Sequence, residues 1–216
     1  MTTTSATPTP PILTPTTAAI GFSDGACISQ YGGGGNGMPS IMGKAVAAEA
    51  GSGGVIYTDA SLHDRVLWFA HYIAAIGKED VADAGADDAD AAAQVKLPTN
   101  NVAEYDGAIL ACQYALQVGI RRFELRMDSQ LAVRQFAGQY KCKNARLQAL
   151  LGQLRAVVKG FEAFTLVWIK RDENQEADWL SKLAVKERRS FATTTCQPHF
   201  FPQHFPAAAA AAAAPQ

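Results

Sequence analysis

The spacing of the apolar residues changes at Pro98, and that change limits the folds open to this 216-residue chain. Upstream, AAIGFSDGACIS at 18–29, GGVIYTDAS at 53–61 and RVLWFAHYIAAI at 65–76 are β-branched or aromatic runs broken by Gly and Asp, and they predict strands. Downstream, Tyr105, Ala108, Ile109, Cys112 and Leu116 recur at helical spacing until Gly119 ends the run. RRFELRMDS then alternates, with Phe123, Leu125 and Met127 on one face. A helix from Gln130, a second helical stretch over 147–158, the strand FTLVWIK and a last helix over 175–187 complete the pattern. The predicted order βββαβααβα describes an α/β protein: a five-stranded mixed sheet, three antiparallel strands and then βα units, with helices packed on it. Sheets of this kind place chemistry where strand ends meet.

The ends of the chain differ from its middle. Eight of the ten prolines lie within 1–15 or 197–215, and eight alanines run from Ala207 to Ala214. Residues 1–17, rich in Thr and Pro, and 191–216, rich in Pro and Ala, therefore read as disordered tails around one domain at 18–190. Within it, a Gly-rich segment at 31–54 and an Ala/Asp-rich segment at 78–97 read as surface insertions.

A formal charge of -1 conceals a division along the chain. Residues 1–118 carry 4 basic and 12 acidic side chains, whereas 119–190 carry 15 basic and 8 acidic, so the second part is able to present a phosphate-facing surface. Four cysteines, Cys27, Cys112, Cys142 and Cys196, form no CxxC pair, which argues against a disulfide framework or a cysteine zinc site and makes a reducing compartment the default. No apolar run reaches the length of a membrane span, and the N-terminal segment lacks both a secretory pattern and the arginines of a transit peptide. A cytoplasmic or nuclear location with no membrane partner is expected, with organelle import left open.

Four acids stand out by position: Asp24 inside the first strand, Glu104 early in the first helix, Asp128 at the end of the fourth strand and Asp178 in the last helix. Glu104 borders the apolar stripe of its helix, and no basic residue adjoins Asp24, Glu104 or Asp128. Singly, each acid is an ordinary turn or cap residue. Brought together, such carboxylates repel by about 4 kcal/mol per pair at an effective dielectric of about 20, so they must share protons or bind cations. Oxygen ligands without His or Cys favour Mg²⁺ or Mn²⁺, and two such ions activate water and stabilise a leaving alkoxide in phosphodiester hydrolysis.

Taken with their neighbours, FSDGAC around Asp24, TNNVAEYDGAI from Thr99 to Ile109, MDSQLAV around Asp128 and KRDENQEADWLSKLA around Asp178, these acids make the sequence resemble the ribonuclease H family. The likeness is to its plant- and archaeal-like branch, related to reverse-transcriptase-type domains. The resemblance implies a ribonuclease H-like fold and a metal-dependent endonuclease that cuts the RNA strand of RNA–DNA hybrids, leaving 5′-phosphate and 3′-hydroxyl ends. It assigns Asp24, Glu104, Asp128 and Asp178 to two Mg²⁺ or Mn²⁺ ions, with Asp24 bridging. Asn100 and Asn101 would touch the hybrid in its minor groove, and the backbone at Gly25 and Ala26 would sense the RNA 2′-hydroxyls. Ser129 joins these as a substrate contact, with first-turn capping as the alternative reading. A loop histidine of the bacterial pattern has no counterpart, since Trp168 to Asp178 encloses only IKRDENQEA.

Lys141 and Lys143, with Arg146, Arg155 and Lys159, flank the second helical stretch and are placed to follow a phosphate backbone; individually they are surface residues. Gly32, Gly34 and Gly37 satisfy GxGxxG but open no apolar helix, so no nucleotide cofactor is expected. GMPSIMGKA misses P-loop spacing, Asp83 to Asp90 lacks the Gly and Glu of a calcium loop, and Cys196, His199 and His204 lack a fourth zinc ligand. Ala26, where the exonuclease branch would place a second acid, favours an endonuclease. The chain is expected to act as a monomer. The rival reading is a catalytically weak or inactive module of the same fold that binds hybrid or structured RNA.

Overall fold

The computed structural model describes residues 18–31, 45–58, 62, 65–74 and 98–193. Six strands and four helices occupy them: β1 (Ala18–Tyr31), β2 (Ala45–Tyr57), β3 (Arg65–Ile73), α1 (Asn100–Gln117), β4 (Arg122–Met127), α2 (Gln130–Phe136), α3 (Ala145–Val157), β5 (Ala163–Trp168), α4 (Gln175–Glu187) and β6 (Phe191–Thr193). The strands form one mixed sheet in the order β5-β4-β1-β2-β3-β6. β1, β2, β3 and β6 pair antiparallel, whereas β4 runs parallel to both β1 and β5.

The α/β class, the mixed sheet and the order of its first nine elements agree with the sequence reading. The strand count does not: there are six strands, not five. β6 pairs Phe191 with Ala70 and Thr193 with Trp68, inside the segment read as a C-terminal tail; three residues are too few for periodicity to reveal. β2 begins at Ala45, within the segment read as a Gly-rich insertion. The Gly-rich motif at 32–37, the P-loop-like run, the acidic run at 83–90 and Cys196, His199 and His204 lie outside the described residues. Among the described residues, no helix is long and apolar enough to cross a membrane.

Local chemistry explains where α1 begins and ends. Thr99, extended after Pro98, accepts from the Val102 amide and caps the first turn. At the other end Gly119 adopts φ 89°, its amide bonding Leu116 O while Ile120 N reaches Ala115 O, a Schellman ending with Ile120 folded into the core.

Strand alternation divides the core between the two faces of the sheet. Ile56, Leu67, Phe69, Phe123 and Leu125 meet α1 and α3, while Phe22, Val55, Tyr57, Trp68 and Ala70 meet α4. On the α4 face the helix approaches the sheet backbone closely. A Cβ on Gly53 would lie 2.4 Å from the Ser181 amide nitrogen, and one on Gly51 would lie 2.5 Å from the Ser181 carbonyl oxygen. The glycines of AGSGG therefore let α4 rest directly on the β2 backbone.

Gly53→Ala is expected to lower unfolding free energy by about 1–3 kcal/mol through overpacking, read as a lower urea midpoint at unchanged slope. An unchanged midpoint would show that α4 has room to withdraw.

Candidate metal centre

Three separate elements deliver three carboxylates to one point. Asp24 lies in the middle of β1 and is 3% exposed. The parallel register pairs Ser23 with Met127, the last residue of β4, so Asp128 stands beside Asp24 where β4 leaves the ladder. Glu104 arrives from the first turns of α1, and Gly25 is what lets it arrive: a Cβ there would lie 2.3 Å from the Glu104 amide nitrogen and 2.4 Å from the Ala103 carbonyl carbon. The Asp-Gly pair of FSDGAC thus combines one carboxylate of the cluster with the gap through which the helix of another approaches.

Asp24, Glu104 and Asp128 each offer an oxygen, and these three oxygens lie within 4.8 Å of one another. Burial, the Asp128 and Asp178 charges, opposed by hydrogen bonds from Ser181 and the Gly25 backbone, push the Asp24 carboxyl up to about 7. Burial, with Asp24 and Asp128 and against Arg171, pushes Glu104 up to about 9. Glu104 Oε2 is buried and has no hydrogen-bond partner among the described residues. An all-oxygen set whose charges repel, with one oxygen orphaned inside it, fits a hard divalent cation and lacks the nitrogen or sulfur ligands of a zinc site.

Asp178 stands outside this group of three. Its Oδ1 accepts from Arg171 Nη2 at 2.7 Å and its Oδ2 from Lys182 Nζ one helical turn on. Burial would raise its carboxyl, but the bonds from Lys182 and Arg171 more than reverse that and hold it below the usual carboxylate range. Its charge still reaches the centre, contributing to the upward shifts of Asp24 and Glu104.

The remaining sequence-derived positions separate into three places. Gly25, Ala26 and Asn100 line an open groove of about 410 Å³ with Asp24, Glu104, Arg171 and Lys182. Asn100 and Asn101 are exposed at the start of α1, where Thr99 performs the capping that either Asn would otherwise supply. Ser129 caps α2, its hydroxyl 3.5 Å from the Ala132 amide. Lys141 and Lys143 are exposed on the connection from α2 to α3.

Two side chains not singled out in the sequence belong to the centre. Ser181 Oγ lies 3.0 Å from Asp24 Oδ2, and Asn174 Nδ2 lies 2.8 Å from Asp128 Oδ1. Ser181 carried a legible signal, being polar within the apolar stripe Ala177, Leu180, Ala184. Asn174 carried none, because Asn before a helix ordinarily reads as its cap.

A family model described as "Reverse transcriptase-like" matches residues 87–184. A bifunctional protein of Mycobacterium tuberculosis is 34% identical over 100 residues, which cover 46% of this chain and 28% of that protein. Ribonuclease HI of Halobacterium salinarum is 32% identical over 114 residues, 53% of this chain and 57% of the enzyme. The match thus spans less than two thirds of either relative. Among solved structures, ribonuclease H1 of Halobacterium salinarum superimposes with TM-score 0.56 and 24% identity, covering 79% of this chain and 98% of that one. LC11 ribonuclease H1 in complex with an RNA/DNA hybrid gives TM-score 0.55 and 25% identity, covering 79% and 98%. The resemblance drawn from the motifs is borne out, and so is the fold.

The raised carboxyls set a stability trend with pH. Asp24 holds its proton more tightly folded than unfolded, so without metal its charge costs stability as pH rises from near the ordinary 3.8 through about 7. With chelator present, Asp24→Asn is expected to exceed the wild type by roughly 1–3 kcal/mol in urea unfolding at about pH 8, the gap narrowing at about pH 5. A gap equal at both values would remove the repulsion argument.

Proposed function

We propose, taking as premise a chain with the ribonuclease H fold that resembles that family across all four of its acidic motifs, that this protein is a metal-dependent endonuclease hydrolysing the RNA strand of RNA–DNA hybrids. The observation that carries the reading is the convergence of Asp24, Glu104 and Asp128 oxygens within 4.8 Å, with Glu104 Oε2 buried and unpartnered. The hybrid bound by the LC11 enzyme and the name of the haloarchaeal relative support the substrate.

Two Mg²⁺ or Mn²⁺ ions would be held by Asp24, Glu104 and Asp128, with Asp178 as the fourth ligand once its pairing with Arg171 and Lys182 is exchanged. When bound, such ions supply a water acidic enough to attack at neutral pH and a charge that stabilises the leaving 3′-oxygen. The protein's own groups do the rest. The carboxylates fix position rather than relay protons, and the raised values of Asp24 and Glu104 fall when a cation replaces the bound proton. Gly25 and Ala26 keep the groove floor free of bulky side chains beside Asp24. Asn100 and Asn101, exposed at its rim, present amides that both donate and accept, as recognition of a 2′-hydroxyl requires. Lys141 and Lys143, with Ser129 nearer the acids, serve the phosphate backbone.

One observation favours the alternative, a module that binds hybrid without cutting it: both Asp178 oxygens already accept from cations. Cleavage of end-labelled hybrid with Mg²⁺, Mn²⁺ or chelator separates the two readings. The expected result is metal-dependent cutting of the RNA strand alone, abolished in a folded Asp128→Asn variant. Binding without cutting under either metal selects the alternative. Uncut hybrid titrated against salt tests the surface: Lys141→Ala and Lys143→Ala are each expected to reduce the logarithmic salt slope by about 1 without changing cleavage position.

A further inference from the structure

Asn174 occupies the N-cap position of α4, yet its side chain makes no capping hydrogen bond. It is 1% exposed, and both of its amide hydrogens are used elsewhere. Nδ2 donates to Ser23 O at 3.0 Å and to Asp128 Oδ1 at 2.8 Å. Asn174 Oδ1 is buried without a hydrogen-bond partner among the described residues, so the side chain occupies a place that leaves one of its own polar atoms unsatisfied.

The two acceptors explain that place. The β1–β4 ladder ends at the Ser23–Met127 pair, immediately before Asp24 on one strand and Asp128 on the other. Beyond that pair the strands have no further rung, and the Asn174 amide supplies one, joining the carbonyl that precedes Asp24 to the carboxylate of Asp128. We propose that Asn174 is a positioning residue for metal binding: it sets the rotation of the Asp128 carboxylate and its distance from Asp24. The inference rests on the metal-centre reading above.

The chemistry of the donor matters. A neutral amide engages Oδ1 and leaves Oδ2 free for an ion without adding positive charge beside it. The contrast is Asp178, whose oxygens are held by Arg171 and Lys182, cations that oppose any incoming metal. Among the acids of this centre, Asp128 is thus held ready by a partner that need not leave.

The test is calorimetric titration of the full chain with Mn²⁺, comparing wild type, Asn174→Ala and Asn174→Ser, with thermal midpoints recorded for each. Ser supplies a capping hydroxyl but cannot span both acceptors, so it remains informative where Ala destabilises α4. Both folded variants are expected to bind Mn²⁺ about 10–100-fold more weakly, with kcat reduced and the KM for hybrid unchanged. A merely structural residue would shift the midpoint and leave the Mn²⁺ affinity of the folded protein intact. Mn²⁺ affinity within about twofold of wild type in Asn174→Ser overturns the proposal. Wild-type protein that binds no Mn²⁺ overturns the metal-centre reading and this proposal with it.

Discussion

Three carboxylates held within 4.8 Å of one another repel, and the rest of the structure depends on withstanding that repulsion. Left to itself, a chain would separate Asp24, Glu104 and Asp128. Each is instead mounted on an element that is fixed for other reasons. Asp24 belongs to a strand paired on both sides, Asp128 to the end of a strand whose register is set by six paired positions, and Glu104 to a helix whose apolar stripe is sunk in the larger core. The cost of that closeness appears as raised carboxyl values at Asp24 and Glu104.

Close backbone approach is the second requirement, and the same residue type meets it on both faces. Gly25 admits the first turn of α1 to one side of β1, while Gly51 and Gly53 admit α4 to the other side of β2. The effect on α4 is functional as well as steric. With the helix seated directly on β2, the short side chain of Ser181 reaches Asp24 and that of Asn174 reaches Asp128. A helix held off by even one methyl layer would need longer side chains, and longer chains hold a carboxylate less firmly. The sheet glycines therefore determine how stiffly the acids are held.

Much of this was legible in sequence, and the parts that were not have physical reasons. The change of period at Pro98, the Thr99 cap and Gly119 mark α1 because helix signals are local. The three acids of the centre were legible because their flanking motifs resemble a family, not because an isolated Asp or Glu declares its partners. β6 was missed because a three-residue edge strand is defined by its partner, here Ala70 to Trp68, and not by its own pattern. The start of β2 was missed because its AVAAEAGSGG run carries little β propensity, and Gly51 and Gly53 are there for the helix above them, a tertiary cause that periodicity does not register. Asn174 was missed for a related reason, since its position before a helix offers a sufficient local explanation that the fold does not use.

The centre treats its acids in two different ways, and the difference follows from their surroundings. Asp128, beside two other carboxylates, is held by a neutral amide, and Asp24 by a neutral hydroxyl. Asp178, on the rim, is held by two cations that line the same groove. A cation placed against Asp24 or Asp128 would relieve the repulsion and occupy the place a metal ion needs. Placed on Asp178, Arg171 before α4 and Lys182 one turn along it offset part of the charge around the centre, Arg171 directly opposing the rise at Glu104. The result is a groove with carboxylates at its middle and positive charge at its edge. That polarity suits a ligand pair consisting of a cation and the phosphate it accompanies, because each finds its opposite already in place.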